Sequence, residues 1–461
     1  MEETRGLTDA VLLLDNYGET SHMLHQSFRR SGFTGPVVVI EDDGFFPEDV
    51  ISVYQYFCGD FRKSTTAPGK ARYFNQIERP DYWEITGNGS NGKVHDLQHE
   101  RGRIFYAEPK DKRLVRVVDW MDEKGTVRFS DHYNRYGALY ARTFFNKSGK
   151  RFCRAYFDTA GREVLLENFA TQDIILNRDG KVYLFQNKTE LTLKLLEELG
   201  VMGSRLFFNT LSTPLFVSER MPEGRQEDVL FWQEDRRDDI PGNMQMILSG
   251  QSKRTRAVFV QKRDSYEKLI QIGAQKEIVK PLGFVYEYSR KNTYQHEALI
   301  CTNSDRIEKC EELVKALPDM HFHIAAITEM SSKLMALSQY ENVTLHPGAS
   351  VKRIDELFDC CDYYLDINHE AEIVSAVKQA FLHDQLILGF KETLHNKALI
   401  SDEHVFGGYE ALIAFLNEIM GNEAMIRERL DRQKRAAMSE EPKTYADLFK
   451  LNYKKRRKKS C

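Results

Sequence analysis

What this chain lacks narrows its function before any motif is considered. No apolar stretch in its 461 residues approaches the ~20 needed to span a bilayer. The opening MEETRGLTDA has neither the basic flank nor the apolar core of a secretion signal. The seven cysteines (58, 153, 301, 310, 360, 361 and 461) contain no CxxC and are odd in number, as expected of reduced thiols in a cytosolic protein. Adjacent Cys360 and Cys361 read as core. An excess of either sign of charge is lacking too. The net charge of -4 gives no case for nucleic-acid binding.

What is present is an ordinary soluble composition, 41% hydrophobic and 29% charged, with length for two or three domains. Val11–Leu14 reads as a strand, Asp15-Asn16-Tyr17-Gly18 as a turn, Glu19 onward as a helix and Pro36–Ile40 as a second strand. That is a βαβ unit. From about residue 61 the texture changes to short strands rich in Tyr, Phe, Val and Arg. Gly125, Gly137, Gly149 and Gly161 recur every twelve residues, the period of a seven-residue strand plus a tight turn. An antiparallel meander over 61–189 follows, inserted into a Rossmann-like domain made of 1–60 and 190–290. Strand-like segments are expected at 206–219, 229–235, 256–262 and 276–288, with helices at 188–199, 243–248 and 264–272. Ser289–Gln295 reads as a hinge.

A second Rossmann-like domain is expected over 291–425, with alternating strands and helices. Its helices are placed at 304–317, capped by Ser304 or Asp305, and at 329–337, 352–358 and 373–381. Residues 426–461 read as a C-terminal helix and a basic tail, Lys454–Lys459, that either solubilises the chain or meets anionic lipid headgroups. The pattern predicts an α/β, GT-B-like fold: two Rossmann-like domains facing across a cleft, with an inserted antiparallel β-sheet add-on domain.

Within this frame several ordered motifs carry a closer resemblance. They are Tyr73-Phe74-Asn75, Pro80 to Ile85 (PDYWEI), FWQED at 231–235, Pro241-Gly242-Asn243-Met244, TEMSSKLM at 328–335 and LDIN at 365–368. Together they resemble the acceptor-binding, stabilising B subunit of the two-component O-linked N-acetylglucosamine transferase of Gram-positive bacteria. That enzyme glycosylates serine-rich repeat adhesins before export by the accessory Sec system. The resemblance implies a catalytic transferase subunit as partner, met in part through the β insert, and a serine-rich acceptor; if the basic tail binds lipid, the protein is placed on the cytoplasmic membrane face, close to the export machinery.

The residues themselves argue against donor turnover. A retaining GT-B enzyme stabilises its leaving nucleotide with cations and places two carboxylates eight positions apart after a late strand of its second domain. Here Glu370 is followed at that distance by Lys378, and Glu372 by Ala380. The turn after the first strand of that domain, Cys301 to Arg306, offers a single cation and no glycine for a phosphate to approach. No catalytic residue and no cofactor are therefore assigned. Recognition is expected from residues at strand ends: Asn16, Tyr17 and Gly18; Trp232, Gln233 and Glu234; Asn243; and Asn368, Glu370 and Glu372. An indole face beside amides and carboxylates suits a sugar. The bland reading is that they cap helices and satisfy turns. His321 and His323 share a strand face without an evident third ligand, and His22 and His25 read as surface histidines, so no metal is assigned. The alternative is an active retaining glycosyltransferase, acting for example on teichoic acid, with an atypical donor site.

Overall fold

The computed structural model describes residues 10–64, 67–224 and 226–453. The tail Lys454–Lys459 lies outside them. The chain divides into two compact units, one holding residues up to 260 with 268–280, the other 261–267 and everything from 281.

The first unit begins β1 (Ala10–Leu14), α1 (Glu19–Arg30), β2 (Val37–Val39), β3 (Val50–Ser52) and α2 (Val53–Cys58). Ten antiparallel strands follow: β4 (Glu84–Gly87), β5 (Asn91–Asp96), β6 (His99–Tyr106), β7 (Val115–Met121), β8 (Val127–Tyr133), β9 (Leu139–Phe145), β10 (Arg151–Phe157), β11 (Glu163–Asn168), β12 (Ile174–Arg178) and β13 (Lys181–Phe185). They pair in sequence order. The turns at 122–125, 134–137, 146–149 and 158–161 share one device. The Asp or Asn that opens each accepts the N–H of the glycine three residues on at its carbonyl (2.8–3.0 Å), and its side chain accepts further N–H groups of the turn. The glycines sit at φ between +76° and +80°, which a Cβ disfavours. This is the physical content of the twelve-residue period.

The α/β pattern then resumes with α3 (Lys188–Glu198), β14 (Arg205–Phe208), α4 (Thr213–Arg220), β15 (Asp228–Trp232), α5 (Gly242–Leu248), β16 (Thr255–Val260), α6 (Arg263–Gln271) and β17 (Val279–Pro281). These strands join the first three in a sheet of order β17-β16-β15-β14-β1-β2-β3. The expected long strand at 206–219 is in fact β14 and α4, divided at Asn209. Pro214 stands in the first turn of α4, where its missing N–H costs nothing. The strand expected over 276–288 shrinks to β17. The meander is fastened to this layer by the Tyr54 and Tyr156 rings, stacked at 4.2 Å, and by Lys188, which pairs with both Glu41 and Glu167.

The second unit contains β18 (Glu297–Thr302), α7 (Cys310–Ala316), β19 (His321–Ala326), α8 (Ser332–Met335), β20 (Val343–His346), α9 (Val351–Cys360), β21 (Tyr363–Asp366), α10 (Ala376–Leu382), β22 (Leu386–Phe390), β23 (Val405–Phe406), α11 (Tyr409–Ile419), α12 (Glu423–Ala436) and α13 (Pro442–Phe449). Its parallel sheet has the order β20-β19-β18-β21-β22-β23. Two helices start later than their sequence suggests. Residues 306–308 pair with 367–369 instead of coiling, and left-handed Lys309 (φ 52°) then opens α7. Val374 and Ser375 are both left-handed (φ 48° and 51°), so α10 begins at Ala376. Gln433 of α12 bonds the main chain of Ile387 and Gln385, and Tyr445 of α13 donates to Gly283 O at 2.7 Å, so both helices belong to this unit. No helix among the described residues is long and apolar enough to cross a membrane.

Candidate functional site

In the first sheet the chain runs outward from β1 to β3 on one side and from β14 to β17 on the other, so the strand order reverses between β1 and β14. Open parallel sheets bind ligands at the carboxyl ends of strands flanking such a reversal. A pocket of about 510 Å³ lies there, lined by Asp15 and Asn16 after β1, Asn209 to Ser212 after β14, and Trp232 to Glu234 with Arg237 after β15.

Asn209 organises it. The side chain is buried, accepts the N–H of Asp15 at 2.9 Å and donates to Ser21 Oγ at 3.0 Å and to Gln233 Oε1 at 3.2 Å. Gln233 in turn donates to Thr20 O at 3.1 Å. Three strand ends and the start of α1 are thereby fixed by neutral hydrogen bonds. Burial raises the Asp15 carboxyl above the ordinary range, against a hydrogen bond with Ser212 that lowers it. Glu234 and Arg237 pair at 3.2 Å on the exposed rim. Amide, hydroxyl and carboxyl groups on one apolar wall suit a polyhydroxylated or peptide ligand.

Of the residues expected here, Asn16, Trp232, Gln233 and Glu234 do line this pocket. Trp232 differs in attitude from the expectation. As the last residue of a strand covered on both faces it is only 2% exposed, so the indole is a wall of the pocket and not an open stacking platform. Asn243 stands in the first turn of α5 and donates to Leu211 O at 3.0 Å, which pins the 210–212 loop. Gly18 precedes α1, its N–H taken by Asn16 Oδ1 at 3.2 Å. Tyr17 turns the other way, into a separate pocket with His22, Phe46 and Arg135. Its hydroxyl meets His25 Nδ1 at 2.7 Å, and burial lowers the His25 pKa to about 4. His25 is wholly buried, not a surface histidine, because it shares the inward face of α1 with Leu24 and Phe28. Asp15, Asn209, Ser212 and Arg237 were missed. The polar residues directly after the apolar run RLFF were the available signal for Asn209.

In the second unit the order reverses between β18 and β21, the place reached by Asn368, Glu370 and Glu372. Main-chain bonds close it. Glu308 N donates to Ile367 O at 2.8 Å and His369 N to Arg306 O at 3.0 Å. Asn368, 3% exposed, accepts Thr302 Oγ1 at 3.1 Å and donates to Glu370 O at 3.0 Å. Glu370 pairs with Arg306 at 2.6 Å, and Glu372 accepts the N–H of Val377 at 2.7 Å, satisfying the start of α10. His395, unnoticed in the sequence, braces the turn. It meets Asp366 Oδ1 at 2.6 Å and Glu370 O at 2.7 Å, and the Asp366 carboxylate raises its pKa to about 9. Here the side chains of Asn368 and Glu372 serve main-chain groups of the turn and of α10, and that of Glu370 an exposed ion pair. His321 and His323, by contrast, gain a third potential ligand that the sequence did not reveal, Glu297, which meets His323 Nε2 at 3.0 Å.

Four family models match the chain: a GtfB N-terminal domain over 11–57, a GtfB middle domain over 83–186, a GtfB third domain over 188–272 and a GftB/GlyA-F C-terminal domain over 298–433. The UDP-N-acetylglucosamine–peptide N-acetylglucosaminyltransferase stabilizing protein GtfB of Streptococcus agalactiae is 41% identical over 95% of this chain and 98% of its own length. A chain in a crystal structure of the GtfA/B complex bound to UDP and GlcNAc superimposes with a TM-score of 0.87 at 37% identity, covering 96% of this chain and all of that one. The pneumococcal O-GlcNAc transferase GtfA, in complex with UDP and GlcNAc, shares the fold at a TM-score of 0.51 and 13% identity, over 96% of this chain and 99% of that one.

Proposed function

This chain belongs to the GtfB family of peptide N-acetylglucosaminyltransferase stabilising proteins, and we propose that it is a non-catalytic subunit. On this reading it binds a serine-rich acceptor protein and stabilises a catalytic subunit that transfers N-acetylglucosamine from UDP-N-acetylglucosamine. It works in the cytoplasm, where the basic tail Lys454–Lys459 is available to anionic headgroups at roughly 1 kcal/mol per residue.

One observation carries the non-catalytic part. A donor nucleotide needs free backbone N–H groups and unpaired cations at the sheet's switch point. Between β18 and β21 the N–H groups of Glu308 and His369 are spent on main-chain carbonyls, and Arg306 is paired with Glu370. The pocket at β1 and β14 stays open and mostly neutral, as recognition of hydroxyl-rich peptide or sugar requires.

Asn16 is the probe for acceptor binding, since it lines that pocket and is exposed, whereas truncating Trp232 empties a buried site. Calorimetry with bare and N-acetylglucosamine-bearing serine-rich peptides is expected to give saturable binding that Asn16→Ala weakens about fivefold, the loss of one hydrogen bond. Equal binding by the variant, or none by the parent chain, contradicts the assignment of the pocket.

A further inference from the structure

Strands β18, β19 and β20 and the end of α9 bring together a group of side chains that the function above does not use. Glu297 lies opposite His321 in the strand register, and Leu299 opposite His323. His323 lies within contact of His346, its Nδ1 3.1 Å from His346 Nε2, and its Nε2 3.0 Å from Glu297 Oε2. Cys360 and Cys361 end α9 on the same side of the sheet. Their sulfurs are 3.9 Å apart, and ligand atoms of His323, Cys360 and Cys361 all lie within 4.8 Å of one another.

We propose that His323, Cys360 and Cys361 form a binding site for a thiophilic divalent cation, zinc above all. Tetrahedral zinc with bonds of about 2.3 Å to sulfur holds two thiolates about 3.8 Å apart, which is the separation of this cysteine pair. The neighbouring group of Glu297, His321 and His323 shares His323, and its oxygen and nitrogen donors are harder. Of the two sets, the sulfur-bearing one is therefore the better match for zinc. Glu297 stands beside the shared imidazole to orient it or to complete the coordination.

Both ring nitrogens of His323 are engaged, by Glu297 and by His346, so a bound metal takes the place of one of these two contacts. Arg353 is the opposing cation, and it is engaged by Glu356 at 3.0 Å. On binding, each cysteine forms a Zn–S bond and releases its thiol proton to solvent, while neutral His323 releases none. The metal would tie the end of α9 to β19.

The test uses the full, untagged, reduced chain titrated with Co²⁺ and then Zn²⁺. One equivalent of cobalt is expected to produce near-ultraviolet sulfur-to-cobalt absorption with tetrahedral visible bands, and zinc to abolish both while raising the thermal midpoint. Cys360→Ser, at an exposed position and with its fold checked by circular dichroism, should keep only about half of the sulfur band, from Cys361, and bind at least about tenfold more weakly. His323→Ala should weaken binding similarly. An octahedral spectrum without the sulfur band, a sulfur band unchanged in Cys360→Ser, or no binding at micromolar metal overturns the proposal.

Discussion

His395 bridges the buried carboxylate of Asp366 and the carbonyl of Glu370, a pair of acceptors that only the doubly protonated ring satisfies from both nitrogens. Its pKa rises from the ordinary 6.5 to about 9, so the folded state holds this proton more tightly than the unfolded one. The resulting stabilisation is complete below about pH 6.5 and is lost as pH rises through about 9. Denaturant midpoints measured from pH 6 to pH 10 should fall in the parent chain, and the portion of that fall due to His395 should vanish in His395→Gln; an unchanged slope would contradict the assignment. Nothing in the sequence announced this residue, because it lies twenty-nine positions from its carboxylate partner. Trp232 shows the opposite case. Its place at a strand end was legible from the apolar run before it, but its burial was not, since a continuous apolar strand does not say which end residue is covered.

At the scale of elements, the hairpins were legible because their glycines mark a backbone requirement that repeats. The late starts of α7 and α10 were not. They depend on non-glycine residues in the left-handed region, Lys309, Val374 and Ser375, whose conformation is imposed by pairing and packing and not by residue type. Ser375 is exposed and pays for its conformation without a packing return. Ser375→Gly should accordingly stabilise the chain by about 0.5–1 kcal/mol in urea unfolding, and a loss of stability would contradict that reading. The meander ends in β13, an edge strand on which Val182 and Leu184 are 71% and 66% exposed. Edges are normally guarded by charge, so an apolar one points to a partner. Val182→Lys with Leu184→Lys should lower affinity for the catalytic subunit by about 1–3 kcal/mol, read by surface binding, with the thermal midpoint unchanged. Parent-like affinity would exclude this edge from the contact.

For the whole molecule, the GT-B-like class was readable from the alternation of strands and helices interrupted by a regular meander, and the family from ordered motifs along the chain. The fate of the two switch points was only half readable. Lys378 and Ala380 at the positions of second carboxylates argued against donor chemistry, yet the closure by residues 306–308 is a long-range pairing that no local pattern encodes. One fold thus carries an open pocket in its first sheet and a closed turn in its second. The most direct test is transfer of labelled N-acetylglucosamine from UDP-N-acetylglucosamine to a serine-rich acceptor by this chain alone, by a catalytic subunit alone, and by the two together. The account predicts no transfer by this chain alone and greater transfer by the pair than by the catalytic subunit alone. Transfer by this chain alone, or no difference between the pair and the catalytic subunit, would contradict it.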